Sequence, residues 1–193
     1  MKNLLFITLL LMAITTTEAQ QVLPTNSKAP NFKATTNHGD VIDLSEITRQ
    51  QQIVLFFYRG QWCPYCNKQM SELQDSLDFI TNLGARVIAI TPEKPEEVEK
   101  TIEKTGASFD IIYDENHKIM DKYKVTFKLP KTKHAKYKAW GIDINKASGN
   151  SDYALPVPAT YIIDKNGIIK GSFFDEDYKK RMSVKEVVEI LKR

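Results

Sequence analysis

The stretch at 53–58, Ile-Val-Leu-Phe-Phe-Tyr, has no polar break. A strand with one wet face alternates apolar and polar residues, so an unbroken β-branched and aromatic run describes a strand covered on both faces, as in the middle of a parallel or mixed sheet. Soon after it, Met70, Leu73, Leu77 and Ile80 recur at intervals of three or four. That spacing predicts an amphipathic helix over 63–83, with Gly84 placed to end it. The strongest strand thus runs almost directly into the strongest helix, and the junction is Trp62-Cys63-Pro64-Tyr65-Cys66.

The remaining pattern fits around this unit. Residues 31–34 and 41–44, joined through Asn37-His38-Gly39-Asp40, read as a β-hairpin. A second buried strand is expected at 86–90 and a third at 109–113. Between them, 95–104 reads as an acidic helix with Pro95 at its first position, and the acidic residues of 93–103 as its solvated outer face. A short helix around 116–123, a hairpin of 160–164 with 168–174 about Lys165-Asn166-Gly167, and a closing helix over 183–191 complete the order. Alternation of this kind predicts an α/β fold, a central mixed sheet flanked by helices. The stretch 125–155 reads as irregular, and the chain as one redox domain over 30–193.

The first residues read differently. Lys2 gives a short positive start, 4–14 is an apolar and threonine run, and Ala19 is a small residue before a cut. This is the layout of a secretory signal peptide over 1–19, followed by a linker over 20–29. The run is too short to span a bilayer comfortably, so cleavage is expected to leave no stable membrane anchor. The expected location is periplasmic or extracellular. Outside the cytosol cysteines tend to pair, yet a protein stapled by disulfides usually carries more than the two present here.

Those two cysteines stand at the expected start of a helix. There the backbone N–H groups are unpaired and the macrodipole is positive, so a thiolate is stabilised below the free thiol value of about 8.5. Pro64 suits the first helical position, and the spacing lets one sulfur close onto the other. A structural staple across so short a loop would add only about 2 kcal/mol. A zinc site needs four ligands, and His38, His117 and His134 show no paired spacing. Redox chemistry is the reading preferred, with no metal and no cofactor. Trp62 and Tyr65 are expected to pack beside the sulfurs and shape access to them. The lysines from Lys122 to Lys138 read first as a solvated face, then as steering for an anion or an acidic partner; nothing there supplies nucleic-acid readout.

The run from Val54 to Asn67 resembles the strand, loop and helix of the thioredoxin superfamily, and in particular the peroxiredoxin-like AhpC/TSA branch. Lys28-Ala29-Pro30-Asn31-Phe32, the stretch 155–167, and 174–178 with Arg181 are similar to other parts of that family. The resemblance implies a thioredoxin-like fold with an N-terminal hairpin and an enzyme that is either a peroxidase or a thiol–disulfide exchanger. Its substrates would be a peroxide or a protein disulfide, and a thioredoxin-like donor would re-reduce it. A redox-inert binding module on the same fold is the non-enzymatic alternative. It implies that Val157-Pro158 is a cis-proline segment facing the dithiol. Pro158 stands where true peroxiredoxins keep an activating arginine, and Arg59 is the candidate to replace it. Cys63 corresponds to the nucleophile of thioredoxins, Cys66 to the attacking position of peroxiredoxins, so both orders of attack stay open.

Overall fold

A computed structural model describes residues 23–175 and 177–193; the expected signal peptide lies outside them. The apolar run forms β3 (Gln52–Phe57), preceded by the hairpin β1 (Lys33–Thr35) and β2 (Val41–Asp43) and the short helix α1 (Leu44–Ile47). After it come α2 (Pro64–Asp75), α3 (Leu77–Asn82), β4 (Ala85–Thr91), α4 (Pro95–Thr105) and β5 (Asp110–Tyr113). A 3-10 turn (Glu115–His117) leads into α5 (Lys118–Lys122), then β6 (Thr126–Lys128), α6 (Lys131–Ala139), α7 (Ile144–Ser148) and β7 (Ala154–Pro156). The chain closes with β8 (Ala159–Ile163), β9 (Ile169–Phe174) and α8 (Val184–Leu191).

The main sheet has the order β5-β4-β3-β8-β9. β3 lies at its centre, parallel to β4 and antiparallel to β8. This position explains the continuous apolar run. Val54, Phe56 and Tyr58 face a core shared with α2, α4 and α8, while Ile53, Leu55 and Phe57 face one shared with the hairpin and α5. All six are fully buried.

Three expectations are corrected. The helix expected over 63–83 breaks at Ser76, whose φ of −107° and ψ of 7° are not helical, so α2 and α3 are separate. The apolar spacing continues across the break because both helices cover the same core. The stretch 125–155, read as irregular, contains a two-stranded sheet of β6 and β7 and two helices. Its own core is small: Leu129, Ile144 and Leu155, with Trp62 packed against them. Third, the expected cis bond at Val157–Pro158 is absent; every described peptide bond is trans. Here Val157 continues the extended run of β7, its N–H donating to Val125 O at 2.7 Å, and the ordinary trans geometry satisfies the backbone. Of the expected linker, residues 26–29 are bonded along β9 and its turn, Asn26 N–H to Ile169 O and Ala29 N–H to Gly167 O.

Candidate active site

Cys63 is the N-cap residue of α2 and Pro64 its first helical residue. Helical geometry then carries Cys66 one turn inward. Its N–H donates to Cys63 O at 3.0 Å, and both thiols are free and buried. The two sulfurs behave oppositely. The Cys66 thiol donates a hydrogen bond to the Cys63 sulfur, the main reason the Cys63 thiol ionises well below the ordinary range; burial opposes this, and Arg59 reinforces it. Burial, and the hydrogen bond it donates to Cys63, push the Cys66 thiol far up. Cys63 is therefore the thiolate and Cys66 the proton-bearing partner.

Two guanidinium groups serve the pair. Arg59 Nη2 donates to Cys63 Sγ at 3.5 Å, and Arg181 Nη2 to Cys66 Sγ at 3.5 Å. Arg59 is only 5% exposed. Among the described residues no carboxylate lies within ion-pair reach of it. A buried cation needs a compensating anion, and the Cys63 thiolate supplies one. Flat rings hold the guanidinium in place: it lies 5.1 Å from the Trp62 ring centroid and 4.2 Å from that of Tyr178. Tyr65 packs edge-on to Tyr178, and Trp62 edge-on to Tyr137 of α6.

Arg59 also faces outward, into a cleft of about 380 Å³ lined by Phe127, Leu129, Lys133, Tyr137, Val157 and Pro158, with Phe174, Asp175 and Tyr178 closing it. The stretch 125–155 thus supplies one wall of the cleft, and Val157 and Pro158, just before β8, belong to another. Of the residues singled out from sequence, Arg59, Val157 and Pro158 line this cleft; Cys63 and Cys66 are fully buried, Cys63 against Arg59, while Trp62 packs on Arg59 and Tyr65 on Tyr178. Pro64, the first residue of α2, is exposed. Lys133 is the lysine of the basic tract that reaches the cleft; Lys128 and Lys138 are tied to Asp152 and Asp143.

Sequence reasoning missed Arg181's contact with Cys66, the Tyr178 ring, and the grip on the turn before the dithiol. Gln61 N–H donates to Glu93 Oε2 at 2.7 Å, and Gln61 O accepts from Asn67 Nδ2 at 2.9 Å. The Gln61 side chain meets Glu97 and Lys104 of α4. Glu93, read as part of a solvated helix face, is 1% exposed. Among the described residues no group of three or more His, Cys, Asp or Glu is arranged to hold a metal ion. No helix among them is long and apolar enough to cross a membrane.

The family model for the AhpC/TSA family matches residues 25–172. The chain belongs to the AhpC/TSA family. It is 25% identical over 165 residues to the chloroplastic peroxiredoxin Q of Oryza sativa subsp. japonica, covering 86% of this chain and 65% of that protein. It is 28% identical over 97 residues to peroxiredoxin Bcp of Escherichia coli K12, covering 50% and 62%. The matches thus span less than two thirds of these relatives. Among solved structures, peroxidoxin BcpB of Mycobacterium tuberculosis aligns with a TM-score of 0.65 at 16% identity, over 87% of this chain and 94% of that one. The thioredoxin domain of a Bacteroides vulgatus thiol-disulfide oxidoreductase aligns with a TM-score of 0.58 at 14% identity, over 88% and 99%. These likenesses establish the thioredoxin-like fold of this AhpC/TSA member.

Proposed function

We propose that this protein is an exported, peroxiredoxin-like thiol oxidoreductase that works through Cys63 and Cys66, with Cys63 attacking. The observation that carries this reading is the Arg59 guanidinium 3.5 Å from the Cys63 sulfur, with the protonated Cys66 thiol hydrogen-bonded behind it. The Cys63 thiolate attacks the terminal oxygen of a hydroperoxide, the O–O bond breaks, and the leaving alkoxide takes a proton to become an alcohol. Cys63 is left as a sulfenic acid. The Cys66 sulfur then displaces its hydroxyl as water, and the disulfide forms. Arg59 donates to the charge that develops on the departing oxygen. It thereby fills the role that Pro158, at the position of the family's arginine, has no donor to fill. An external dithiol, of the thioredoxin type, returns the pair to the reduced state.

A second reading, exchange with disulfides of exported proteins, is favoured by the placement of Val157 and Pro158 in the same cleft as Arg59. There an extended segment could lie along the backbone and offer a sulfur to Cys63. Stopped-flow mixing of reduced protein with hydrogen peroxide and cumene hydroperoxide, followed by Trp62 fluorescence, tests the first reading. Oxidation faster than that of a free thiol at the same pH supports it; oxidation at the free-thiol rate refutes it. Reduction of insulin under the same conditions reports the second. Export is tested by expression in a bacterium and sequencing of the mature N-terminus, with processing after Ala19 as the expected result.

A further inference from the structure

His117 ends the 3-10 turn ahead of α5, and both of its ring nitrogens meet carboxylates. Nδ1 lies 2.8 Å from Asp121 Oδ2, one turn further along α5, and Nε2 lies 3.1 Å from Asp152 Oδ2, on the loop before β7. Lys128 of β6 reaches the same Asp152 oxygen at 3.2 Å. Asp152 Oδ1 accepts the N–H of Ala154, the first residue of β7, at 3.3 Å. One small cluster thereby ties α5, which packs against the main sheet, to both strands of the β6–β7 sheet. The core on that side is only Leu129, Ile144 and Leu155. The backbone is bent to make these contacts. Asn116, His117 and Tyr153 have φ of 57°, 47° and 58°, and none of them is glycine. Such left-handed residues are unfavourable and persist where their surroundings over-determine them. Here they flank one contact, that of His117 with Asp152.

A neutral imidazole donates from one nitrogen and accepts at the other; only the imidazolium donates from both. With a carboxylate oxygen at each nitrogen, the His117 ring fits its site as the cation. We propose that His117 is a proton-operated clasp: charged, it pins the start of β7 through Asp152, and neutral, it lets Asp152 go. Val157 and Pro158 follow β7 directly and line the cleft with Arg59, so the clasp sets how firmly that wall is held. It goes beyond the redox reading and does not depend on it.

The charged groups facing the ring are Asp121 from α5, Asp152 from the loop before β7, and Lys128 from β6 through Asp152. Asp114, buried ahead of the 3-10 turn, adds its field while its carboxylate accepts the Ile119 and Met120 N–H groups. Partial burial works against the imidazolium; Asp121 and Asp152 outweigh it, and the pKa stands above the ordinary 6.5. A pKa raised by folding stabilises fully below the unfolded value, and that stability is lost as pH rises through the folded one. The clasp is therefore closed on the acid side and opens on the alkaline side. Asp121, at the shorter distance, keeps the remaining proton on Nδ1, and the bare Nε2 lone pair then faces Asp152.

The test is NMR on the reduced full chain and needs no turnover: the histidine rings are titrated, and amide exchange is followed at Leu129 and Val157. The Leu129 N–H donates to Tyr153 O and the Val157 N–H to Val125 O, at the two ends of the β6–β7 ladder; the Tyr58 N–H, bonded to Ile90 O in the main sheet, is the control. Of the three histidines, the one absent in His117→Gln should titrate above about 6.5, and its midpoint should fall in Asp152→Asn. Protection of Leu129 and Val157 should drop about fivefold as pH rises through that midpoint, the scale of one partly exposed ion pair lost. Tyr58 should keep its protection, and His117→Gln should show no such drop. If His117→Gln does not fold, Asp152→Asn serves in its place, with the drop reduced or gone. A His117 that titrates at or below the ordinary value, or protection indifferent to its midpoint, overturns the clasp and leaves the proposed function standing. A dithiol inert to peroxides and disulfides defeats the proposed function and leaves the clasp standing.

Discussion

Arg59 Nη2 lies 3.5 Å from Cys63 Sγ, and both residues are buried. The pairing places a permanent positive charge on the sulfur at the helix cap and none of comparable closeness on a carboxylate. Replacing Arg59 by Gln removes the charge and keeps a donor. Reduced Arg59→Gln should alkylate with iodoacetamide at pH 6 at least about tenfold more slowly than wild type, the size of one lost charge-assisted contact. Oxidation by peroxide should slow by about 10²-fold, as when one oxyanion-stabilising donor is removed. Equal alkylation rates across the pH range would show that the guanidinium does not set the acidity of Cys63.

Tyr178 covers Arg59 from the solvent side, its ring centroid 4.2 Å from the guanidinium carbon, while being 40% exposed itself. A contact of this kind is worth about 1 kcal/mol. Tyr178→Ala should therefore loosen Arg59 and open the path from the cleft to Cys63. Bulky maleimides should then react several-fold faster, while small iodoacetamide changes less. Parallel changes for both reagents would mean that Tyr178 does not limit access.

Gly60 borders Glu93 and Trp62 so closely that a methyl group has no room. Gly60→Ala adds a left-handed-region penalty to a steric one, and both displace the turn that holds Cys63. Thermal unfolding should show a loss of about 2 kcal/mol or more, with the Cys63 thiol returning toward ordinary acidity. Wild-type stability in this variant would contradict the packing described for Glu93.

Burial raises the pKa of Glu93, with a consequence for stability. Its folded midpoint, about 8, lies above the ordinary carboxylate value of about 4.3. The contribution of the protonated group is thus fully present below pH ~4.3 and is lost as pH rises toward the folded midpoint, by about 1.4 kcal/mol per pH unit at the limit. Reduced wild-type protein should lose Tm between pH 5 and 8 relative to Glu93→Gln, which cannot ionise. The Cys63 thiolate has the opposite sign: a depressed folded pKa stabilises above the unfolded thiol value, and that stability is lost as pH falls through the folded one. Parallel Tm curves for the two proteins over pH 5–8 would rule out a buried ionisable Glu93.

Much of this arrangement was legible in the residues themselves, for identifiable reasons. The central strand could be read because burial on both faces forces an unbroken apolar run at 53–58. The dithiol could be read because Cys63 and Cys66 follow that strand and open a helix. The wall formed by 125–155 could not, because its core is only Leu129, Ile144 and Leu155 and borrows Trp62 from far away in sequence. Glu93 hid among acidic neighbours at 96, 99 and 103 that do face solvent; only the fold tells them apart. Arg181 approaches Cys66 across 115 positions, a separation at which no local pattern speaks. The trans bond at Pro158 shows the limit of resemblance: its neighbours meet their backbone needs through Val125 instead.

The central claim is that one sulfur of this pair is held as a thiolate while the other keeps its proton. Thiolate absorbance near 240 nm, followed across pH in reduced wild type, Cys63→Ser and Cys66→Ser, measures this directly. The expected result is one ionisation well below the ordinary thiol range of about 8.5 in wild type, lost in Cys63→Ser and displaced upward in Cys66→Ser, where the donated hydrogen bond is weakened or gone. Two ionisations at the ordinary thiol value in the wild-type protein would contradict the account.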